Sequence, residues 1–305
     1  MCRRRFRRHA ESMANQLATL SNELADIVER TGRAVVAVDA RPRFASSGVF
    51  WRQGIIVTAE HTIRREEEIE VALPDGRKVP ATLVGSDPGT DIAVLKVDSA
   101  AGNPLPVATA EPVPGNLALT IGRSADSGVN ATTGIISAVS GSWRTWRGGR
   151  LDRYIRLDLT LYPGSSGGVV VNTAGEALGI ATPVLSRIAG LAIPASTINR
   201  VVDEIIARGR VARGYLGVGL QPVELPDHHK GLIVLSLERD GPAAKAGVLV
   251  GDILVSLGGA PVSDTDDIQS ALESRAVGQG VEAVVSRGGV AQTIVITIGE
   301  RPRRN

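Results

Sequence analysis

Between Asn15 and Thr31 apolar residues recur at Leu17, Leu20, Leu24, Ile27 and Val28, the 3.6-residue spacing of a helix that lays one stripe on a neighbour. Beyond Thr31 the period changes. Short runs rich in Val, Ile and Leu at 34–38, 48–51, 55–58, 69–73, 81–84 and 92–97 read as strands, separated by turn chemistry such as Pro74-Asp75-Gly76 and Asp87-Pro88-Gly89. Strands this closely spaced, with no helix between them, predict an antiparallel barrel or sandwich. A stretch over 102–115 carries Pro104, Pro106, Pro112 and Pro114 and reads as a linker. Strands then resume at 117–121, 134–139, 154–159, 169–171 and 178–180, so two β units flank a proline-rich bridge. Ser196 is placed to cap a helix over 197–208, and Gly209 to end it. The last stretch mixes strands at 231–237, 253–257, 281–285 and 293–298 with short helices at 243–246 and 264–275, a small α+β module. The expected division is 1–31, a basic tail and amphipathic helix; 32–210, a mainly β domain; and 211–305, the α+β module.

Composition agrees with this outline and narrows the function. The 305 residues suit two domains that bury their own cores, and 43% apolar with 22% charged residues is ordinary for a folded chain. Aromatic residues are only 3%, too few for a base-stacking nucleic-acid platform. The formal charge is 34 − 32 = +2, and the excess basic residues lie at the ends, in Arg3, Arg4, Arg5, Arg7 and Arg8 and in Arg301, Arg303 and Arg304. A near-neutral body carries no signature of specific nucleic-acid binding. The single cysteine, Cys2, rules out an intramolecular disulfide and a cysteine-rich metal site, and no metal or cofactor is expected. No apolar run approaches the ~18 residues of a bilayer span, and no apolar signal core follows the basic start, which places the chain as written in the cytoplasm. Met13 offers a second start that would remove the arginine run.

Histidine is scarce, and only His61 falls in the β region, at the end of the apolar strand Ile55-Ile56-Val57-Thr58-Ala59. His228-His229 reads as a solvated turn. Thirty residues after His61, Asp91 stands at the mouth of the strand Ile92-Ala93-Val94-Leu95. Seventy-five residues further, Ser166 lies within Pro163-Gly164-Ser165-Ser166-Gly167-Gly168, where flanking glycines let the backbone approach a ligand and turn its N–H groups inward. Each element alone has a structural reading: a satisfied histidine, a turn-capping aspartate, a plain turn. Together they follow the His, Asp, Ser order of chymotrypsin-type hydrolases.

The segments Ile56-Val57-Thr58-Ala59-Glu60-His61, Gly89-Thr90-Asp91-Ile92-Ala93-Val94-Leu95 and Pro163-Gly164-Ser165-Ser166-Gly167-Gly168 resemble the three signatures of the HtrA (Deg-type) serine proteases. Ala192-Ile193-Pro194 and Arg213-Gly214-Tyr215-Leu216-Gly217-Val218 extend the resemblance, which covers about residues 20 to 300. It implies a chymotrypsin-like double β-barrel followed by a PDZ domain, and cleavage of unfolded polypeptides. Ser166 would act as nucleophile, His61 as general base and Asp91 as its orienting partner, with Gly164, Ser165 and Ser166 forming the oxyanion hole. Thr160, six residues before Ser166, stands where trypsin-like enzymes carry an aspartate, so a small or aliphatic residue is expected before the scissile bond, in a pocket near Thr160, Leu161 and Leu191. Tyr215, Leu216, Gly217 and Val218 match the carboxylate-binding loop of a PDZ domain, which takes peptide C-termini. Relatives commonly form trimers through N-terminal contacts, here the region from Leu17 to Val28, and most act outside the cytosol. The family usually carries asparagine at the position of Ser165, and Asn-Asn or Ala-Ala where Ala59-Glu60 stands. An α/β-hydrolase fails on context, since strand residues Val169-Val170-Val171 follow the serine where that fold needs a helix. The rival from another class is a protease fold that holds peptides, chaperone-like, with latent or weak cleavage.

Overall fold

Twice along the chain six short strands close on themselves in the computed structural model, which describes residues 2–42, 45–97, 102–126, 128–225, 230–273, 275 and 277–300. Helix α1 (Cys2–Gly32) leads in. It runs on through the arginine segment expected as a tail, because arginine and alanine are good helix formers and no Pro or Gly occurs before Gly32. Only the end of its apolar stripe is covered: Ile27 is buried, whereas Leu17 and Leu20 are 65% and 40% exposed.

The first barrel comprises β1 (Val35–Asp39), β2 (Ser46–Arg52), β3 (Ile55–Ala59), β4 (Ile69–Ala72), β5 (Lys78–Asp87) and β6 (Ile92–Val97), closed by β4 against β1 with Val38 opposite Val71. Period-two alternation sends Val36, Val38, Phe50, Ile56, Val71 and Leu95 into one buried cluster. The alternate residues Val35, Val49, Val57 and Val94 join a larger cluster that includes residues of the second barrel and of α2 (Ala195–Arg208). Each such fully buried aliphatic side chain contributes about 1.5–3 kcal/mol.

The second barrel is built from β7 (Leu117–Ser124), β8 (Gly128–Ser140), β11 (Tyr154–Asp158), β12 (Val169–Val171), β13 (Ala177–Thr182) and β14 (Leu191–Pro194), with the small hairpin β9 (Trp143–Arg144) and β10 (Arg150–Leu151) inserted after β8. Neither the hairpin nor β14 was among the expected strands: two residues are too few to show a period, and all four residues of β14 are buried, so it lacks alternation. Helix α2 ends at Gly209, whose φ of 73° gives the left-handed cap expected there. Its N-cap position is Pro194 rather than Ser196, with no side-chain cap bond. The chain divides into two compact units, Met1–Val211 and Ala212–Asn305.

In the second unit, β16 (Val218–Glu224), β17 (Lys230–Leu237), β18 (Ile253–Leu257), β20 (Gly280–Arg287) and β21 (Val290–Thr297) lie in that order. Strand β19 (Ala260–Pro261) pairs with β18, and β15 (Gly214–Tyr215) with β22 (Gly299–Glu300). Helices α3 (Pro242–Lys245) and α4 (Thr265–Glu273) complete the unit, whose core includes Leu216, Leu232, Leu254, Ile268, Leu272 and Val285. Buried Asp252 accepts two bonds from Arg287, at 2.8 and 2.7 Å, and one from the Leu249 N–H. The guanidinium bonds first, then the backbone N–H, hold the Asp252 carboxyl below the usual carboxylate range. Because its folded value lies below its unfolded one, the stability this group contributes is present above about pH 4 and is lost as pH falls through the folded value. Asp252→Asn is expected to destabilise this unit by about 2 kcal/mol at neutral pH and to flatten its acid dependence, measured by calorimetric unfolding at pH 7 and in acid. His228-His229 lies outside the described residues. No helix among the described residues is long and apolar enough to cross a membrane.

Candidate active site

Strands β3 and β6 are hydrogen-bonded neighbours with Ala59 opposite Ile92. The residue just past the end of β3, Glu60, therefore meets the residue just before β6, Asp91: the Glu60 N–H donates to Asp91 O at 3.1 Å, and the 3₁₀ turn that Glu60 opens (Glu60–Thr62) sets His61 beside the Asp91 carboxylate. His61 Nδ1 lies 2.9 Å from both carboxylate oxygens of Asp91, and the His61 backbone N–H donates to Oδ1 at 2.9 Å. Asp91 is fully buried and sits at φ 59°, a left-handed conformation that costs a non-glycine residue about 1–3 kcal/mol and is held by its surroundings. Part of that hold is local: the Asp87 carboxylate accepts the N–H groups of Gly89 and Thr90 and the Thr90 hydroxyl, shaping the turn that delivers Asp91.

Ser166 comes from the loop before β12. Tyr162 O accepts the Ser165 N–H at 2.9 Å, closing a turn with Pro163 and Gly164 at its centre. Proline presets the first of these positions, and Gly164, at φ 96°, supplies the positive φ that the second needs in a type II turn. Gly167, at φ 80°, is required for a different reason. A Cβ there would stand 2.3 Å from Ser47 O and 2.8 Å from Ala59 N, so the loop could not approach the first barrel. Approach it does: Ser166 Oγ is 3.2 Å from His61 Nε2. The backbone N–H groups of Gly164 and Ser166 find no acceptor among the described residues. The Ser165 N–H is committed to Tyr162, which corrects its inclusion in the expected oxyanion hole and leaves the flanking pair, Gly164 and Ser166, open.

Two features escaped the sequence reading. Thr182, at the end of β13, donates its hydroxyl to Asp91 Oδ2 at 2.5 Å across 91 residues of sequence. A threonine in an apolar strand carries no local mark of that role. The β9–β10 hairpin reaches the same neighbourhood: the Thr145 hydroxyl donates to Gly89 O at 2.7 Å, the Trp146 indole N–H donates to Val184 O at 3.2 Å, and Arg147 lies 3.4 Å from the Glu60 carboxylate. Burial, and then the neighbouring Asp91 charge, push the Glu60 carboxyl above the ordinary range, while Arg147, His61 and Arg64 pull it back. Glu60, the departure beside His61, thus sits against a cation.

Two of the three expected pocket residues reach the surface. Thr160 is exposed, and Leu161 is half-buried, its side chain lying over Gly190. Leu191 is fully buried in the core cluster with Leu185 and Ile193, which corrects its assignment to a substrate pocket: on β14 it points into the packed interior. In the second unit Leu216 is buried and Gly217 has φ 74°. The carbonyls of Leu216 and Gly217 accept from Ala243 and Glu238, while their N–H groups find no acceptor among the described residues. Tyr215 pairs with Gly299, and Val218 opens the edge strand β16. Among the described residues no three His, Cys, Asp or Glu side chains gather as metal ligands.

Residues 46–180 match the Trypsin-like peptidase domain and residues 214–298 the PDZ domain. Serine endoprotease DegS of Escherichia coli is 36% identical over 284 residues, covering 86% of this chain and 79% of that protein. A probable periplasmic serine endoprotease, DegP-like, of Brucella suis is 34% identical over 278 residues, again 86% of this chain. The chain spans only about half of that relative's length, 54%. The crystal structure of the serine endoprotease from Yersinia pestis superposes with a TM-score of 0.77 at 34% identity, covering 90% of this chain and 97% of the other.

Proposed function

The chain belongs to the HtrA family of serine endoproteases, and on that premise we propose that it is itself an endopeptidase, cleaving unfolded polypeptides by acyl transfer at Ser166. The observation that carries this reading is the continuous path from buried Asp91 through both ring nitrogens of His61 to Ser166 Oγ. The Ser166 hydroxyl attacks the peptide carbonyl carbon while His61 Nε2 takes its proton. The carbonyl electron pair moves to oxygen, where the N–H groups of Gly164 and Ser166 receive the negative charge. Collapse of this intermediate breaks the C–N bond, and His61 returns the proton to the leaving amine. Water then repeats the sequence on the acyl-enzyme with His61 as base. Asp91, itself held by Thr182, keeps the Nδ1 proton in place and stabilises the imidazolium.

Thr160 in place of an acidic residue supports a small or aliphatic residue before the scissile bond, as does the apolar side chain of its neighbour Leu161 over Gly190. The open N–H groups of Leu216 and Gly217 support capture of a peptide C-terminal carboxylate, the peptide adding as a strand beside β16. The exposed Leu17 and Leu20 of α1 support a trimer through that helix. The periplasmic relative supports an extracytoplasmic place of work. Incubation with unfolded β-casein, with and without a peptide ending in a free apolar carboxylate, tests these assignments. Cleavage is expected, and faster cleavage with the peptide would give the PDZ domain a regulatory part. Binding of casein with no cleavage in either condition would shift the assignment to a peptide-holding protein.

A further inference from the structure

One peptide unit separates the two open N–H groups of the nucleophile loop, the unit joining Gly164 to Ser165. Its N–H end is fixed by Tyr162 O. Its carbonyl end is fixed from the other barrel: the Ser47 hydroxyl donates to Gly164 O at 2.7 Å across 117 residues of sequence. Ser47 also donates its backbone N–H to Ser166 O at 3.0 Å, so this buried residue of β2 grips the loop on both sides of Ser165. Glycine, with no Cβ, leaves this unit free to turn about the Cα–C bond of Gly164, which would swing the Gly164 carbonyl toward the side that the two open N–H groups now face. The hydroxyl bond opposes that rotation.

The Ser47 hydroxyl is itself directed. It has one proton, given to Gly164, and its oxygen accepts the Arg123 backbone N–H at 2.9 Å. The Arg123 side chain donates Nη2–H to Gly32 O at the end of α1, at 2.8 Å, and Nε–H to Val35 O, at 2.6 Å. A chain of hydrogen bonds therefore runs from the C-terminal end of the lead-in helix, through Arg123 and Ser47, to the turn that presents Gly164 and Ser166. We infer that Ser47 is a positioning residue for the oxyanion hole and that Arg123 couples its hydroxyl to the end of α1. This assignment rests on the protease reading given above.

The test compares full-length wild type with Ser47→Ala, Ser47→Cys and Arg123→Met on a fluorogenic peptide, together with inhibition by a peptide boronic acid, whose tetrahedral adduct places an oxygen where the oxyanion forms. Loss of one oxyanion donor costs about 100- to 1,000-fold in kcat; a donor left in place but no longer held is expected to cost about 10- to 100-fold in Ser47→Ala, with KM within about twofold. The boronic acid should weaken in parallel with kcat. Ser47→Cys, nearly isosteric with a weak S–H donor, should fall between serine and alanine, and it carries the test if the alanine variant does not fold. Arg123→Met, which keeps its backbone N–H, should lose about three- to tenfold in kcat. Equal kcat in wild type and all three folded variants would overturn the assignment while leaving the protease intact, as would a rise in KM at constant kcat. A wild type that neither turns over the peptide nor binds the boronic acid would overturn the protease reading, and this one with it.

Discussion

Ser166→Ala is expected to lower kcat on β-casein by on the order of a millionfold, with the thermal unfolding midpoint unchanged. The two halves of that expectation have separate causes. The Ser166 hydroxyl meets the His61 ring at 3.2 Å and supplies the atom that attacks, so nothing nearby can replace it. The fold does not depend on that hydroxyl, because the loop is held by backbone groups: Ser166 O by the Ser47 N–H, the Gly167 N–H by Ala181 O, and the Gly168 N–H by Ser165 O. A small residual rate should survive, since the open N–H groups of Gly164 and Ser166 still polarise a bound carbonyl toward water. Fluorophosphonate labelling gives the second readout, and the variant should take no label. Wild-type turnover by a repurified Ser166→Ala preparation would end the nucleophile assignment.

Asp91→Asn is expected to reduce kcat by about 10,000-fold with little change in KM. The carboxylate accepts from the Thr182 hydroxyl at 2.5 Å, from the His61 backbone N–H and from His61 Nδ1, an environment built wholly of donors around an acceptor. An amide must turn its NH₂ toward one of them. Facing Nδ1, it would donate there, and the ring proton would move to Nε2, where His61 can no longer accept from Ser166. An amide whose NH₂ takes the Oδ1 position would also set it against the His61 backbone N–H, a donor that cannot accept, leaving a mismatch in a fully buried site. Thermal unfolding distinguishes the two: an unchanged midpoint with lost kcat indicates the wrong tautomer, and a lowered midpoint indicates the buried mismatch. Wild-type kcat would show that Asp91 does not orient the base.

The chemistry of the site was legible in the sequence because each group sits at the end of a locally recognisable segment. The apolar strand before His61, the apolar strand after Asp91 and the glycines around Ser166 are marks of short-range structure. The two β units, the proline-rich bridge and the α+β module also follow from local periodicity and turn residues, which act over a few positions of chain.

Other parts depend on register and on backbone groups, and these only the tertiary structure decided. Leu191 is suited by type to a pocket, yet β14 is buried on both faces, and its pairing with β13 sends Leu191 into the cluster shared with Ile193. Ser165 shares the glycine-rich loop with its neighbours, but its N–H is spent inside the turn, a distinction that every residue's identical backbone conceals. Thr182 and Ser47 reach Asp91 and Gly164 across 91 and 117 residues, and a lone hydroxyl in a strand announces no partner at such a distance. Thus the sequence by itself determined the kinds of elements, their order and the three reactive side chains, because those rest on local propensity and spacing. The closing of the barrels determined which donors and acceptors hold them, because hydrogen bonds between distant strands exist only once the register is set.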